Sequence, residues 1–314
     1  MSLQSQETAS ATPLRRRLLD WLGDALHAQE TGGLSWHWSA YRARHAWQPT
    51  QEALETYLLA QPQTSTELLL IGGSAGWMMS GTWLAQFKTI TVIDIDPLAS
   101  LFFRLLHGQT LKRSGTKWSF KRRDALIQLP ALLKEHPNAL VFFDNVLGQQ
   151  CFRLKDEERV ERLIRHIKVT LKGRPWGSVH DVYSGPIDLT TPTSTPKTPL
   201  ITPTNLRTFT CQFGAMAQET TQASTNKRAQ EPGSHSNDDT PSELEFKPEH
   251  MVINGELKSF DEGAQILLQS VNASGEWKDH LSVEVFAPET KSVMIPWFFK
   301  DNYCHWLQMA MVFE

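Results

Sequence analysis

The residues with the most chemical potential in this 314-residue chain lie between positions 67 and 97. The apolar run Glu67-Leu-Leu-Leu-Ile71 passes directly into Gly72-Gly73-Ser74-Ala75-Gly76, and Asp94 ends the next apolar run, Thr89 to Ile93. Small residues where a strand turns into a helix let backbone N–H groups and the helix N-terminus approach a ligand closely. A carboxylate closing the following strand, about 18 residues further on, can accept both hydroxyls of a ribose. Together the turn and the acid describe a nucleotide-type cleft. The same five residues also satisfy G-x-S-x-G, in which Ser74 would be the nucleophile of a serine hydrolase. Context separates the two readings. Only a helical segment precedes the turn, no HGGG-type oxyanion stretch lies upstream, and a hydrolase gives no reason for Asp94 at its spacing.

Further along, Asp144-Asn145 follows the apolar run Ala139 to Phe143. Residues at the carboxyl end of a strand are where an open α/β sheet places reacting groups. His180 and Asp181 lie near the end of a fifth strand and could act as a base or as metal ligands. His180, His280 and His305 otherwise read as hydrogen-bonded structural histidines, with geometry as the deciding test.

These positions need a scaffold, and the pattern supplies one. Strands at Glu67–Ile71, Thr89–Ile95, Trp118–Arg123, Ala139–Phe143 and Gly177–Tyr183 alternate with helical stretches at Trp77–Gln86, Leu98–His107, Ala125–Glu135 and Glu157–Leu171. Such alternation implies an α/β doubly wound, mostly parallel sheet covered on both faces. Residues 1–66 read as an N-terminal helical cap, with leucines at helical spacing from Leu14 to Leu26 and a second helix at Glu52–Leu59. Its tryptophans, Trp21, Trp36, Trp38 and Trp47, are packing residues or the lining of a substrate pocket. The main domain, 67–314, contains a Thr/Pro/Ser-rich insertion at about 186–248, with too little apolar surface to offset chain ordering. Within it Leu206 to Met216 is an apolar island that could dock as a strand or short helix. Beyond it, Phe260–Val271 reads as a helix, Leu281–Phe286 as a strand, and Val293–Phe299 with Trp306–Phe313 as a terminal antiparallel hairpin.

On these motifs the stretch Glu67 to Gly185 resembles a class I, Rossmann-like S-adenosylmethionine-dependent methyltransferase. The resemblance implies that Gly72, Gly73, Ser74 and Gly76 lie against the methionine part of S-adenosylmethionine, and that Asp94 and Ile95 take its ribose. It implies that Asp124 and Ala125 lie near the adenine and that Asp144 and Asn145 lie beside the reacting centre. Two departures stand out: Ser74 replaces the middle glycine, and Leu70 occupies the place of an acid. The contact to the cofactor's amino group then falls to Glu67 or Asp144. The implied activity is methyl transfer to a small-molecule acceptor, with Asp144 and His180 as catalytic candidates. Aminopropyl transfer of the spermidine synthase type is an alternative on the same fold. Asn145 is followed by Val146-Leu147, not the prolines and aromatic that accompany amino-group substrates on bases or glutamine. Asp181-Val182 lacks the Asp-Asn pair of metal-dependent catechol-type enzymes, so no metal is expected.

Composition narrows the classes further. Lys and Arg number 31 against 34 Asp and Glu, a net charge of -3, which argues against nucleic-acid or membrane binding by bulk charge. The basic and aromatic patch from Lys112 to Arg123 reads as a charged, edge-guarding loop and strand. The start of the chain lacks a cationic segment followed by an apolar core, so it does not read as a secretory signal. Cys151, Cys211 and Cys304 are odd in number and lack CxxC spacing, so a disulfide framework or structural zinc site is not expected and a cytoplasmic setting is.

Overall fold

Apolar runs with no polar alternation become strands covered on both faces, and here they form the centre of one sheet. The computed structural model describes residues 32–188, 211–213, 250–254, 256–287 and 290–313. Strands β1 (Glu67–Ile71), β2 (Thr89–Asp94), β3 (Lys117–Arg122), β4 (Leu140–Asp144) and β5 (Trp176–Pro186) pair in parallel in the order β3-β2-β1-β4-β5. β1 is buried at all but its first residue and β4 throughout, whereas β3, at the sheet edge, is half exposed. The order reverses direction between β1 and β4, the switch point at which a Rossmann-like sheet opens a crevice beyond its strand ends.

Helices α1 (Leu34–Leu59), α2 (Gly81–Leu84), α3 (Ala99–Ser114), α4 (Ala125–Glu135), α5 (Gln150–Leu154) and α6 (Glu157–Leu171) accompany these strands. The sheet continues antiparallel through β6 (Cys211–Phe213), β7 (His250–Ile253), β8 (Glu256–Ser259), β10 (Ser292–Lys300) and β11 (Tyr303–Val312), in the order β5-β11-β10-β6-β7-β8. Helix α7 (Phe260–Ser270) follows β8, and the two-residue β9 (Lys278–Asp279) pairs with β5. Among the described residues, no helix is long and apolar enough to cross a membrane.

The doubly wound parallel sheet, α4, α6 and the β10–β11 hairpin agree with the sequence pattern. Three elements differ from it. The expected helix Trp77–Gln86 is a 3-10 turn at Ser74–Gly76 and then the four-residue α2, because Ser80 takes an extended backbone and its hydroxyl caps a new start. The helix at Glu52–Leu59 is the end of a longer one that begins at Leu34 and runs through Pro49. Leu281–Phe286 is no strand: it contains a 3-10 turn at Val283–Val285 after Leu281 in the left-handed region. A short apolar run carries no period to distinguish these states. Residues 211–213 of the apolar island form β6. The leucine-rich helix expected at 14–26 and most of the Thr/Pro/Ser-rich stretch lie outside the described residues.

Candidate active site

A cavity of about 740 Å³ opens beyond the carboxyl ends of β1, β2 and β4. Its floor is the glycine turn. Gly72 has φ 73, and a β-carbon there would lie 2.7 Å from Val146 Cβ and 3.0 Å from the Asp144 carbonyl, so the turn excludes any larger residue. Ser74 (φ 29) and Ala75 (φ 74) also hold positive φ without being glycine, a local strain of the kind that concentrates at functional sites. Asp94 faces this turn directly: its Oδ2 accepts from Ser74 N–H at 2.7 Å, and its Oδ1 accepts from Asp96 N–H at 2.8 Å. Burial raises the Asp94 pKa to about 6 against the opposing pull of those backbone donors.

Asp144, at the end of β4, is buried and lines the same cavity, and its carboxylate has no hydrogen-bond partner among the described residues. Burial first, then the charges of Asp94 and Asp181, push its pKa well above the ordinary carboxylate range. A carboxyl group that resists ionisation in a cleft is suited to accept or hold a proton. Asn145, in the left-handed region, donates through Nδ2 to Asp181 Oδ2 at 3.1 Å and accepts from Asp181 N–H at 3.0 Å. It thereby ties the end of β4 to β5. Asp124 caps α4 by accepting from Leu126 and Ile127 N–H and pairs with Arg153 of α5.

The opposite wall is aromatic. Trp36 of α1 stacks on Phe299 of β10, with ring centroids 5.9 Å apart and planes 14° from parallel, and its indole N–H donates to Ser74 Oγ at 2.8 Å. The N-terminus of α1 is fastened at a second point. Gly33 N–H donates to Asp96 Oδ2 at 2.8 Å, and buried His37 Nε2 lies 3.0 Å from the same oxygen. Burial would raise the Asp96 pKa, yet the His37, Gly33 and Leu98 donors hold it below the usual range.

Gly72, Ser74, Asp94, Ile95, Asp124, Ala125, Asp144 and Asn145 therefore meet in one cavity. Four other candidates do not line it. Glu67 starts β1 and does not end it, so its carboxylate lies at the far edge of the sheet against His136 Nδ1, 2.6 Å away. Gly73 and Gly76 face inward, where β-carbons would meet Leu70 and His107. His180 is the largest departure from expectation. It is fully buried, its Nδ1 pairs with Ser178 Oγ at 2.9 Å, and its Nε2 lies 3.1 Å from the Ser282 carbonyl. Burial lowers its pKa to about 4, which leaves it a neutral structural group. The partner of Ser74 Oγ is the Trp36 indole, and no imidazole bonds to it among the described residues. That arrangement lacks the general base a serine nucleophile requires.

Cavity residues that sequence reasoning missed include Gln149 just before α5 and Arg153 on it, Phe299 and Lys300 at the end of β10, and Gly32 and Ser35 beside Trp36. Only the clustering of tryptophans near the N-terminus carried any signal for that wall.

No protein-family model matches the chain, and no curated protein matches it. Among solved structures the chain is similar to the magnesium protoporphyrin IX methyltransferase of Synechocystis PCC 6803, crystallised with bound SAH. Identity is 12% and the TM-score 0.35, over 94% of this chain and 99% of that one.

Proposed function

We propose that the protein transfers a methyl group from S-adenosylmethionine to a small-molecule acceptor. The observation that carries this reading is the shared crevice of the strained turn and Asp94, joined at 2.7 Å, at the switch point of the sheet. In this reading Gly72 and Ser74 face the methionine portion, Asp94 accepts the ribose hydroxyls, and Asp124 with Ala125 borders the adenine. When bound, the cofactor supplies an already activated methyl group, so the protein chiefly aligns the nucleophile and, where needed, takes its proton. Asp144 would take that proton or hold the cofactor's ammonium, a role supported by its buried position in the cavity lining. Trp36 and Phe299 form the apolar side on which an acceptor would rest. A cytoplasmic setting is part of the proposal, on thiol usage: Cys151 and Cys304 are unpaired.

Calorimetric titration with the demethylated product, SAH, tests the reading. Micromolar binding is expected, and Asp94→Ala should weaken it at least tenfold, about 1.4 kcal/mol. Absence of binding by SAH and S-adenosylmethionine alike would end the proposal, and tighter binding of decarboxylated cofactor would redirect it to aminopropyl transfer.

A further inference from the structure

Behind the cavity wall formed by Asn145 and Gln149 lies a second cluster that methyl transfer does not use. Asp181 of β5, His280 just after β9 and His305 of β11 each present a ligating atom, all within 4.8 Å of one another. Asp181 and His280 are buried, and the His305 side chain is 14% exposed. The carboxylate of Asp181 is satisfied on one side only. Its Oδ2 accepts from Gln149 Nε2 at 2.7 Å and from Asn145 Nδ2 at 3.1 Å. Its Oδ1 is buried without a hydrogen-bond partner, and so is His305 Nδ1, although the two atoms lie 3.3 Å apart. They are close enough to pair but out of line for a hydrogen bond. Buried polar atoms are nearly always satisfied, so two that converge without bonding each other suit a shared third partner.

Backbone geometry brings this set together. In the pairing of β11 with β5, His305 opposes Ser184 and Trp306 opposes Tyr183, but Leu307 opposes Asp181, so Val182 is an extra residue. Regular alternation would send Asp181 to the face opposite Ser184 and His305. The bulge returns it to their side, the re-aiming for which bulges near functional sites are known.

We propose that Asp181, His280 and His305 bind a divalent first-row transition ion, with zinc as the reference case. Two imidazoles and a carboxylate form a donor set that such ions accept. A tetrahedral ion with bonds of about 2.0–2.1 Å spaces its ligand atoms about 3.3 Å apart. Asp181 Oδ1 and His305 Nδ1 already have that separation, and His280 Nδ1 stands 4.0 Å from Asp181 Oδ2. His280 is now bonded at both nitrogens, through Nδ1 to the Gly148 carbonyl at 3.0 Å and through Nε2 to Ser184 Oγ at 2.8 Å. Binding shifts its proton from Nδ1 to Nε2. Nδ1 then ligates, Nε2–H donates to Ser184 Oγ, and Ser184 donates onward to Tyr303 Oη, 3.2 Å away. Asn145 and Gln149 hold the other carboxylate oxygen in place, the outer support that metal ligands ordinarily have. Both also line the cavity, which sets the ion one residue behind any acceptor bound there.

The test uses the full chain, stripped with a chelator and titrated with Co²⁺, followed by Zn²⁺ competition. One equivalent of Co²⁺ with the visible bands of a low-coordinate nitrogen and oxygen site is expected, displaced by Zn²⁺. Removal of an outer-shell partner costs about 10- to 100-fold in affinity, so Ser184→Ala should weaken Co²⁺ by roughly tenfold and His305→Gln or Asp181→Asn by more than about a hundredfold. Circular dichroism and SAH titration on the same samples report folding and the methyltransferase reading separately. No saturable Co²⁺ or Zn²⁺ uptake by the wild type overturns the proposal whether or not SAH binds. Uptake unchanged in folded His305→Gln and Ser184→Ala overturns it equally.

Discussion

The parallel half of the sheet meets the cavity with the polar carboxyl ends of its strands, and the antiparallel half meets it with the aromatic end of β10 and a helix laid across it. From the parallel side come backbone N–H groups and carboxylates: the Gly72 turn after β1, Asp94 closing β2, Asp144 closing β4. The antiparallel side brings rings. Trp36, Trp47, Trp297 and Phe299 form one aromatic assembly, in which Trp47 sits 4.9 Å from Trp297 and 5.7 Å from Phe299. Polar groups at strand ends stay accessible because the backbone stops there, whereas rings between α1 and β10 are buried by each other. One half therefore carries chemistry and the other shape and stability, and substitutions should separate the two.

The largest separation is expected at Trp47, which is fully buried and donates its indole N–H to the Phe299 carbonyl at 3.2 Å. Trp47→Ala removes a large core side chain and should lower the unfolding free energy by about 3–5 kcal/mol in urea titrations. SAH affinity of the protein that remains folded should change by less than tenfold. A collapse of affinity with unchanged stability would make the aromatic side a binding surface, and the division of labour would fail.

On the polar side the expected effect is on pH dependence. Asp94 has a folded pKa of about 6, above its unfolded value of about 3.9. Between those values the folded chain keeps a proton that the unfolded chain has lost. The corresponding stability is whole below about pH 4 and is lost as pH rises through 6. From pH 5 to pH 7 the wild type should lose about 1.4 kcal/mol of unfolding free energy that Asp94→Asn does not lose. Parallel urea titrations of the two proteins check this, and coincident slopes would place the carboxylate in water and not in a buried crevice.

The same division explains what was legible in the sequence. The Gly72 turn, Asp94 and Asp144 each follow an apolar strand within one or two residues, so local pattern is enough to place them. Glu67 satisfied the residue type but not the direction, since it begins β1 and a carboxylate at the amino end of a parallel strand points away from the crevice. His180 failed for a different reason: whether a residue of β5 faces the cavity depends on alternation, and the extra Val182 opposite β11 resets that alternation in a way no single strand reveals. The contact of Trp36 with Phe299 joins residues far apart in the chain, and a cluster of tryptophans signals rings in need of partners without naming them. Gln149 caps and Arg153 sits on α5, whose five residues are too few to show a period.

Trp36 belongs to both sides, and the smallest predicted effect lies there. Its ring stacks on Phe299 while its N–H reaches Ser74 Oγ, so the serine that stands in place of the expected middle glycine is the anchor for the helix over the cavity. Trp36→Phe keeps the ring and removes the donor; Ser74→Ala removes the acceptor and leaves the strained backbone as it is. A single neutral hydrogen bond contributes about 0.5–1.5 kcal/mol, so each variant should lose about that much stability. The double variant should lose little more than either alone, because the second substitution has no bond left to break. A double-mutant cycle in urea reads this coupling directly. Strictly additive losses would mean that ring stacking and the Asp96 contacts of Gly33 and His37 hold α1 over the crevice without the indole–hydroxyl bond, and Ser74 would then have no role in joining the two halves.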